Sequence, residues 1–357
     1  MGAQFVTLAI NPGNTSTKVG VFSGETPLKI SSVSHDDKII KGFPSVIAQK
    51  TYRIDLIRGM LSGAGIRLDE LSCCVGRGGL LRPLQSGTYR VNGRMLSELA
   101  AASRGEHASN LGAVIAHDIA SPLGIPAFIV DPVCVDEMND VARLSGLSGI
   151  ERDSLSHALN QKAVAKRHAR AAGRSYSDMR LVVAHLGSGI SICAHAGGRM
   201  IDVANPKEEG PFSPDRAGGL PVLKLAKLCF SGEYTEYKAL EKRLFGGGGM
   251  LSYLGTSDLR KVMEMIDGGD PRAKMVFDAM VYQTAKYIGA FATVLDGHLD
   301  AILLTGGMAH EPRLVEAVKA KVGFIAPVAV YPGEDELQAL CEGALRVLQG
   351  EETALEY

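Results

Sequence analysis

VTLAINPGNTSTKVGVF, residues 6–22, decides the fold. An apolar run leads into a tight turn of small and hydroxyl residues around glycine, and a second apolar run leads out. LVVAHLGSGISICAHAGGRMIDV, residues 181–203, repeats the plan about 175 residues later. Each segment reads as paired strands flanking a turn, the first turn being Asn11-Pro12-Gly13-Asn14. Glycine in such a turn lets a backbone N–H come close to a phosphate, because no side chain holds the ligand away. One turn in each half of the chain suggests a cleft in which a phosphate is held from both sides.

The 357 residues exceed what one core normally organises, so two domains are expected. The composition is 46% hydrophobic and 22% charged, that of an ordinary globular protein. A net charge of −1 provides no overall electrostatic footprint for nucleic acid or an anionic membrane. The cysteines (Cys73, Cys74, Cys134, Cys193, Cys229, Cys341) show no CxxC pair and no Cys/His metal spacing, and are expected as small buried residues. No stretch is long and apolar enough for a transmembrane helix. The N-terminus lacks the pattern of a signal peptide, and Met1-Gly2 is followed by Val6 where a myristoylation motif wants Ser or Thr. The expected location is the cytoplasm.

Further strands are expected at 46–48, 72–77, 88–92, 127–131 and 301–307. Helices are expected at 51–64, 94–102, 110–120, 150–172, near 220–229, at 273–295 and at 335–348. The four glycines 246–249 read as a flexible loop, with a loop beside a nucleotide as the sharper alternative. Alternating strands and helices, with each half opening on a strand pair, make an α/β protein of two domains. No GxxxxGK[ST] loop and no dinucleotide-type GxGxxG follows a strand.

Nine segments stand out in order: NPGNTSTKVGVF (11–22), GRGGLLRPLQSGTYRVN (76–92), EHASNLGA (106–113), IVDPVCVDEM (129–138) and SLSHALNQKAVA (154–165). AHLGSGISICAH (184–195), EGPFSPDRAGGLP (209–221), LTGGMAH (304–310) and YPGEDELQAL (331–340) complete the set. Together they resemble the butyrate kinase family, in the acetate kinase branch of the acetate and sugar kinase, heat-shock ATPase and actin superfamily. The resemblance implies two actin-like, ribonuclease H-like domains with a nucleotide cleft between them. The expected boundaries are 1–133 plus a C-terminal helix 336–357, and 134–335. It implies reversible phosphorylation by ATP, with Mg²⁺, of butyrate or a branched C4–C5 acid to an acyl phosphate. It also implies a homodimer or a higher oligomer built from dimers. An acetate, propionate or sugar kinase is the alternative within the superfamily, and a non-enzymatic ATP-binding switch protein is the alternative outside enzymes. ANPKEEGPFSP (204–214) departs from the looser run expected before Arg216.

This chemistry sets a clear physical task. A carboxylate is already ionised at neutral pH, so its phosphorylation needs no general base. The obstacle is repulsion: at about 4 Å and an effective dielectric of ~20, each like-charge pair costs about 4 kcal/mol. Arg77, bracketed by glycines, suits a bidentate grip on a carboxylate. By resemblance, Arg216 stabilises charge on the transferring phosphoryl group, His157 donates a hydrogen bond to it, and Asp131 serves Mg²⁺ through water or orients an arginine. Arg77, His157, Arg216 and Asp131 are therefore the catalytic candidates, and Arg77, His107 and Asn110 the substrate-binding ones. The metal candidates are Asn11, Asp131 and Glu336, with Glu334 and Asp335 close enough to compete. Asn11, Ser16, Thr17, Lys18, His185, Gly187, Ser188, Gly189, Gly306 and Gly307 are the nucleotide and phosphate candidates. For His107 and Asn110 a structural role is an equal expectation, and acids capping the last helix are an alternative for 334–336.

Overall fold

A computed structural model describes residues 5–357, so Met1 and Gly2 lie outside the described residues. In chain order the first elements are β1 (Val6–Pro12), β2 (Ser16–Ser23), β3 (Thr26–Ser34), α1 (Asp37–Lys41) and α2 (Lys50–Gly63). Then come β4 (Cys73–Arg77), β5 (Thr88–Arg90), α3 (Gly93–Ala101), α4 (Asn110–Ala120) and β6 (Ala127–Val130). The middle of the chain forms α5 (Asp140–Arg143), α6 (Ala158–Ala171), β7 (Leu181–Leu186), β8 (Ile190–Ala196), β9 (Arg199–Ala204) and α7 (Val222–Cys229). After α8 (Tyr237–Leu244), α9 (Gly249–Leu254), α10 (Leu259–Asp267) and α11 (Pro271–Val294) come β10 (Ala301–Gly306), α12 (Pro312–Val322), β11 (Val328–Pro332) and α13 (Glu336–Leu348).

The chain divides into two compact units. One comprises Met1–Asp136 with Asp335–Tyr357, the other Glu137–Glu334. The first unit holds a six-stranded sheet in the order β3-β2-β1-β4-β6-β5. β1 and β2 pair antiparallel with Asn11 opposite Lys18, and β1 pairs parallel with β4. Leu8, Ile10, Val19 and Val21 alternate into a core shared with Ile57 and Leu61 of α2 and with Leu111 and Ile115 of α4. α13 packs on the same sheet through Leu337, Leu340, Cys341, Ala344 and Leu345, all buried.

The second unit holds a five-stranded sheet, β11-β10-β7-β8-β9. Every residue of β7 is buried, as expected for a strand covered on both faces. Val182, Ala184 and Leu186 face one core, shared with Met280 and Ile288 of α11. Leu181 and Val183 face the other, shared with Val164 and Ala165 of α6. α11 begins where Asp270 accepts N–H bonds from Arg272 and Ala273 and Pro271 opens the first turn.

Two local expectations are corrected. Residues 46–48 are not a strand: Ile47–Gln49 form a 3-10 turn running straight into α2. Two β-branched residues have no neighbouring strand to pair with there, and the following helix sets the conformation. The helix expected from 150 begins only at Ala158, with His157 as its non-helical N-cap (φ −80°, ψ 56°). The preceding segment is held against β9 instead, where Arg152 donates to Asp202 Oδ1, Glu209 Oε1 and the carbonyls of Ala142 and Val203. Five cysteines are buried as expected, whereas Cys229 at the end of α7 is exposed.

Candidate active site

In the first unit the β1–β2 turn closes through Gly13 N–H donating to the Ser16 carbonyl at 2.7 Å. Lys18 is exposed, but Thr17 turns inward and is 1% exposed. Its hydroxyl lies 2.9 Å from Arg53 Nη1 and 2.8 Å from His35 Nε2. Arg53, from α2, is buried beneath the turn and also donates to the Gly13 carbonyl and to Gln49 Oε1. All these acceptors are neutral, so among the described residues the cation under the turn has no carboxylate as a hydrogen-bond partner. Burial lowers the pKa of Arg53. His35 falls to about 4, first through burial and then through the Arg53 charge.

At the end of β4, Arg77 Nη1 lies 2.8 Å from Glu336 Oε1 and 3.4 Å from Asn11 Oδ1. Asn11 Nδ2 donates to the other Glu336 oxygen. Strands β1 and β4 and the first turn of α13 therefore bring together Asn11, Arg77 and Glu336. Asp335 is the helix N-cap with φ 43° and makes no side-chain capping bond. Asp131 follows β6 with φ 39°, in the left-handed region that Asp tolerates better than most residues. Its Oδ1 accepts from Ser86 Oγ at 2.6 Å and Gly87 N–H at 2.8 Å, and among the described residues no hydrogen bond joins it to Asn11 or Glu336.

Asn110 is spent on structure. Its Oδ1 accepts from Leu80 N–H and its Nδ2 donates to the Gly105 carbonyl, which fixes the loop after Arg77. His107 Nδ1 accepts from Ser109 N–H, and that ring is pushed below its ordinary pKa, first by loss of water and then by the Arg77 charge.

In the second unit His157 stacks on His185 with centroids 3.8 Å apart and planes 8° apart. His185 Nδ1 lies 2.7 Å from Asn160 Oδ1, and Asn160 Nδ2 donates to the Glu334 carbonyl. The carbonyl fixes the amide orientation, so Nδ1 of His185 carries a proton. Its buried Nε2 makes no hydrogen bond among the described residues and lies 3.6 Å from Glu334 Oε1. His185 ends on the turn Gly187-Ser188-Gly189, whose Ser188 carbonyl accepts from Ser213 Oγ.

That contact ties the turn to the loop carrying Arg216. The guanidinium lies over the Phe245 ring at 4.3 Å and against Gly189, where a Cβ would sit 2.1 Å from Nη1. Burial lowers the Arg216 pKa against the pull of Asp215; burial also raises Asp215. The glycines 246–249 are not a free loop. Gly246 and Gly248 donate N–H bonds to the Asp215 carbonyl. Gly249, at φ 55°, begins α9 where a Cβ would strike the Ser213 carbonyl at 1.7 Å. The departure at 204–214 is ordered around Asn205, whose carbonyl accepts from Glu208 and Glu209 N–H. Gly306 ends β10 and exchanges backbone bonds with Gly333, and Gly307 follows in open space.

Sequence reading missed Arg53, Asn160, Gln161 and Ser191. Arg53 left only one signal, a charge at a core-facing position of a helix (Arg53, Ile54, Ile57 and Leu61 are its buried residues). Among the described residues no three His, Cys, Asp or Glu side chains gather into a metal cage. Mg²⁺ needs no such cage: it keeps several waters and takes one or two carboxylates. Glu336 and Asn11 supply a carboxylate and an amide oxygen of that hard type.

Two sheets of this topology in one α/β chain define the actin-like ATPase fold. Residues 148–325 match the Acetokinase family. Acetate kinase from Porphyromonas gingivalis superposes with a TM-score of 0.78 at 20% identity, covering 96% of this chain and 100% of that one. A propionate kinase from Francisella tularensis subsp. tularensis SCHU S4 gives 0.76 at 16%, covering 95% and 98%. Acetate kinase from Entamoeba histolytica gives 0.75 at 17%, covering 95% and 99%.

Proposed function

We propose that the protein catalyses reversible, ATP-dependent phosphorylation of a short aliphatic carboxylate to an acyl phosphate, with butyrate and branched C4–C5 acids preferred. The observation that carries the reading is Arg216: a half-buried cation laid on Gly189 of the expected phosphate turn, inside the segment that matches the Acetokinase family. Arg77 provides the second cation, and its forked guanidinium matches a carboxylate. We assign the carboxylate and metal to Asn11, Arg77 and Glu336 of the first unit, and the nucleotide phosphates to His185, the 187–189 turn and Arg216 of the second. Asn11 and Glu336 would hold Mg²⁺, which offsets phosphate charge when bound. Arg216 and His157 act on the transferring phosphoryl group by charge and by hydrogen bonding. No side chain is required as a base, because the acceptor is already an anion at neutral pH.

The preference for butyrate rests on GRGGLLRP, and a shorter acid is the rival reading, since the superposed structures are acetate and propionate kinases. One methylene is worth about 1–3 kcal/mol of discrimination. Acyl phosphate trapped as hydroxamate across the C2 to C5 acids decides between them. A maximum at C4–C5 is expected, and a maximum at acetate assigns the shorter acid. ATP consumed only with sugars would remove the carboxylate reading. A homodimer is part of the proposal, supported by exposed Val222, Leu223 and Phe230 in and beside α7. Sedimentation equilibrium reads it.

A further inference from the structure

A run of side chains leads from His157 into the second unit's core, and the acceptors along it orient the hydrogen bonds between them. Gln161 lies 3.2 Å from the Ser191 carbonyl and 2.8 Å from Ser191 Oγ through its Nε2. A carbonyl only accepts, so this end of the amide is the NH₂ group. The opposite end, Oε1, lies 3.2 Å from His195 Nε2, which must then carry a proton. His195 is fully buried, and burial first and the Lys162 charge second hold it well below its ordinary pKa. It is therefore neutral, and its Nδ1 accepts from the Tyr176 hydroxyl at 2.7 Å. Ser191 Oγ already receives Gln161. Its own hydrogen has one acceptor among the described residues, His157 Nδ1 at 2.9 Å. A neutral His157 so held carries its proton on Nε2.

We propose that Tyr176, His195, Gln161 and Ser191 form a positioning relay that fixes neutral His157 as the Nε2–H tautomer, the form that donates toward a phosphoryl oxygen. The opposite tautomer would turn His157 Nδ1–H onto Ser191 Oγ and leave the Ser191 hydroxyl hydrogen without an acceptor in a buried site. The neighbouring His185 carries its proton on Nδ1, set by Asn160, so the two stacked rings have opposite tautomers. The relay rests on the phosphoryl-transfer role given to His157 above; the tautomer itself does not.

Long-range ¹⁵N–¹H correlation spectra of the full chain without substrates test it, the His157 signals being identified by their loss in His157→Gln. The expected wild-type pattern is Nε2 protonated and Nδ1 bare. Ser191→Ala should mix the tautomers and lower kcat about tenfold, the rate equivalent of one hydrogen bond, with both KM values changed less than about twofold. Ser191→Thr, which keeps a hydroxyl, should restore both. If Ser191→Ala does not fold, Tyr176→Phe on the surface end of the relay should mix the tautomers more weakly. A protonated Nδ1 in the wild type, or an unchanged tautomer in a folded Ser191→Ala, overturns the relay. The expected tautomer with no hydroxamate from any acid overturns the function proposed above and leaves the tautomer assignment in place.

Discussion

Arg77 is bracketed by glycines and Arg216 is followed by Gly218 and Gly219, yet their surroundings give them different tasks. Arg77 is partly exposed and bonded to Glu336 and Asn11, groups that a carboxylate and a cation can replace. Arg216 is exposed to a similar extent, but its nearest carboxylate oxygen, from Asp215, is 3.9 Å away. Arg77→Ala is therefore expected to raise the KM of the carboxylate with a smaller change in kcat. Arg216→Ala should lower kcat by ~100-fold or more with KM little changed. Initial rates at varied acid and ATP separate the two, and an unchanged kcat in Arg216→Ala would remove it from the transition state. Both arginines could be picked out from glycine-containing segments, GRGG and SPDRAGG. Their partners could not: three acids in a row, Glu334, Asp335 and Glu336, look alike in sequence, and only the first turn of α13 singles out Glu336. Thr17 shows the converse, a hydroxyl in the expected phosphate turn that the pleat of β2 points inward onto Arg53.

At the scale of elements, the turns are held by backbone packing that composition cannot show. Gly189 and Gly249 both face the Arg216 loop, but an added methyl meets different things. At Gly189 it meets the mobile end of a side chain. Gly189→Ala should therefore displace the Arg216 guanidinium and lower kcat by about tenfold or more, with a near-normal melting temperature. At Gly249 it meets a backbone carbonyl at a positive φ. Gly249→Ala should cost more than about 2 kcal/mol of stability, read by urea unfolding. A wild-type midpoint would return residues 246–249 to a free loop. Most helices and strands were legible from periodicity. The helix start near 150 was not, because Arg152 reaches Asp202 and Glu209, more than forty residues away, and a local pattern carries no record of that.

At the scale of the whole molecule, each unit buries a histidine of low pKa, His35 just after β3 in the first and His195 on β8 in the second. Both have folded-state pKa values below the ordinary 6.5. The unfolded chain then binds protons that the folded chain refuses. The stability is full above about pH 6.5 and is lost as pH falls through that value toward about 4. For His35 the span bounds the loss at about 3 kcal/mol. Melting temperatures measured from about pH 7.5 down to about pH 5 should fall, and His35→Gln should flatten part of the decline. A constant melting temperature over that range would contradict the buried neutral state of both rings.

By itself the sequence determined the α/β class, the two strand–turn–strand devices, and the arginines and histidines on which the chemistry is proposed to rest. These are local properties: alternation of apolar residues, glycine at turns, and short words that survive in order along the chain. Only the tertiary structure decided which acid meets Arg77, that Asn110 serves a loop, that Gly246, Gly248 and Gly249 pack against residues 213–217, and which nitrogen of His157 is proposed to hold its proton. Those depend on pairings between residues far apart in the chain. In a buried site each donor and acceptor is settled by whichever partner folding brings within about 3 Å.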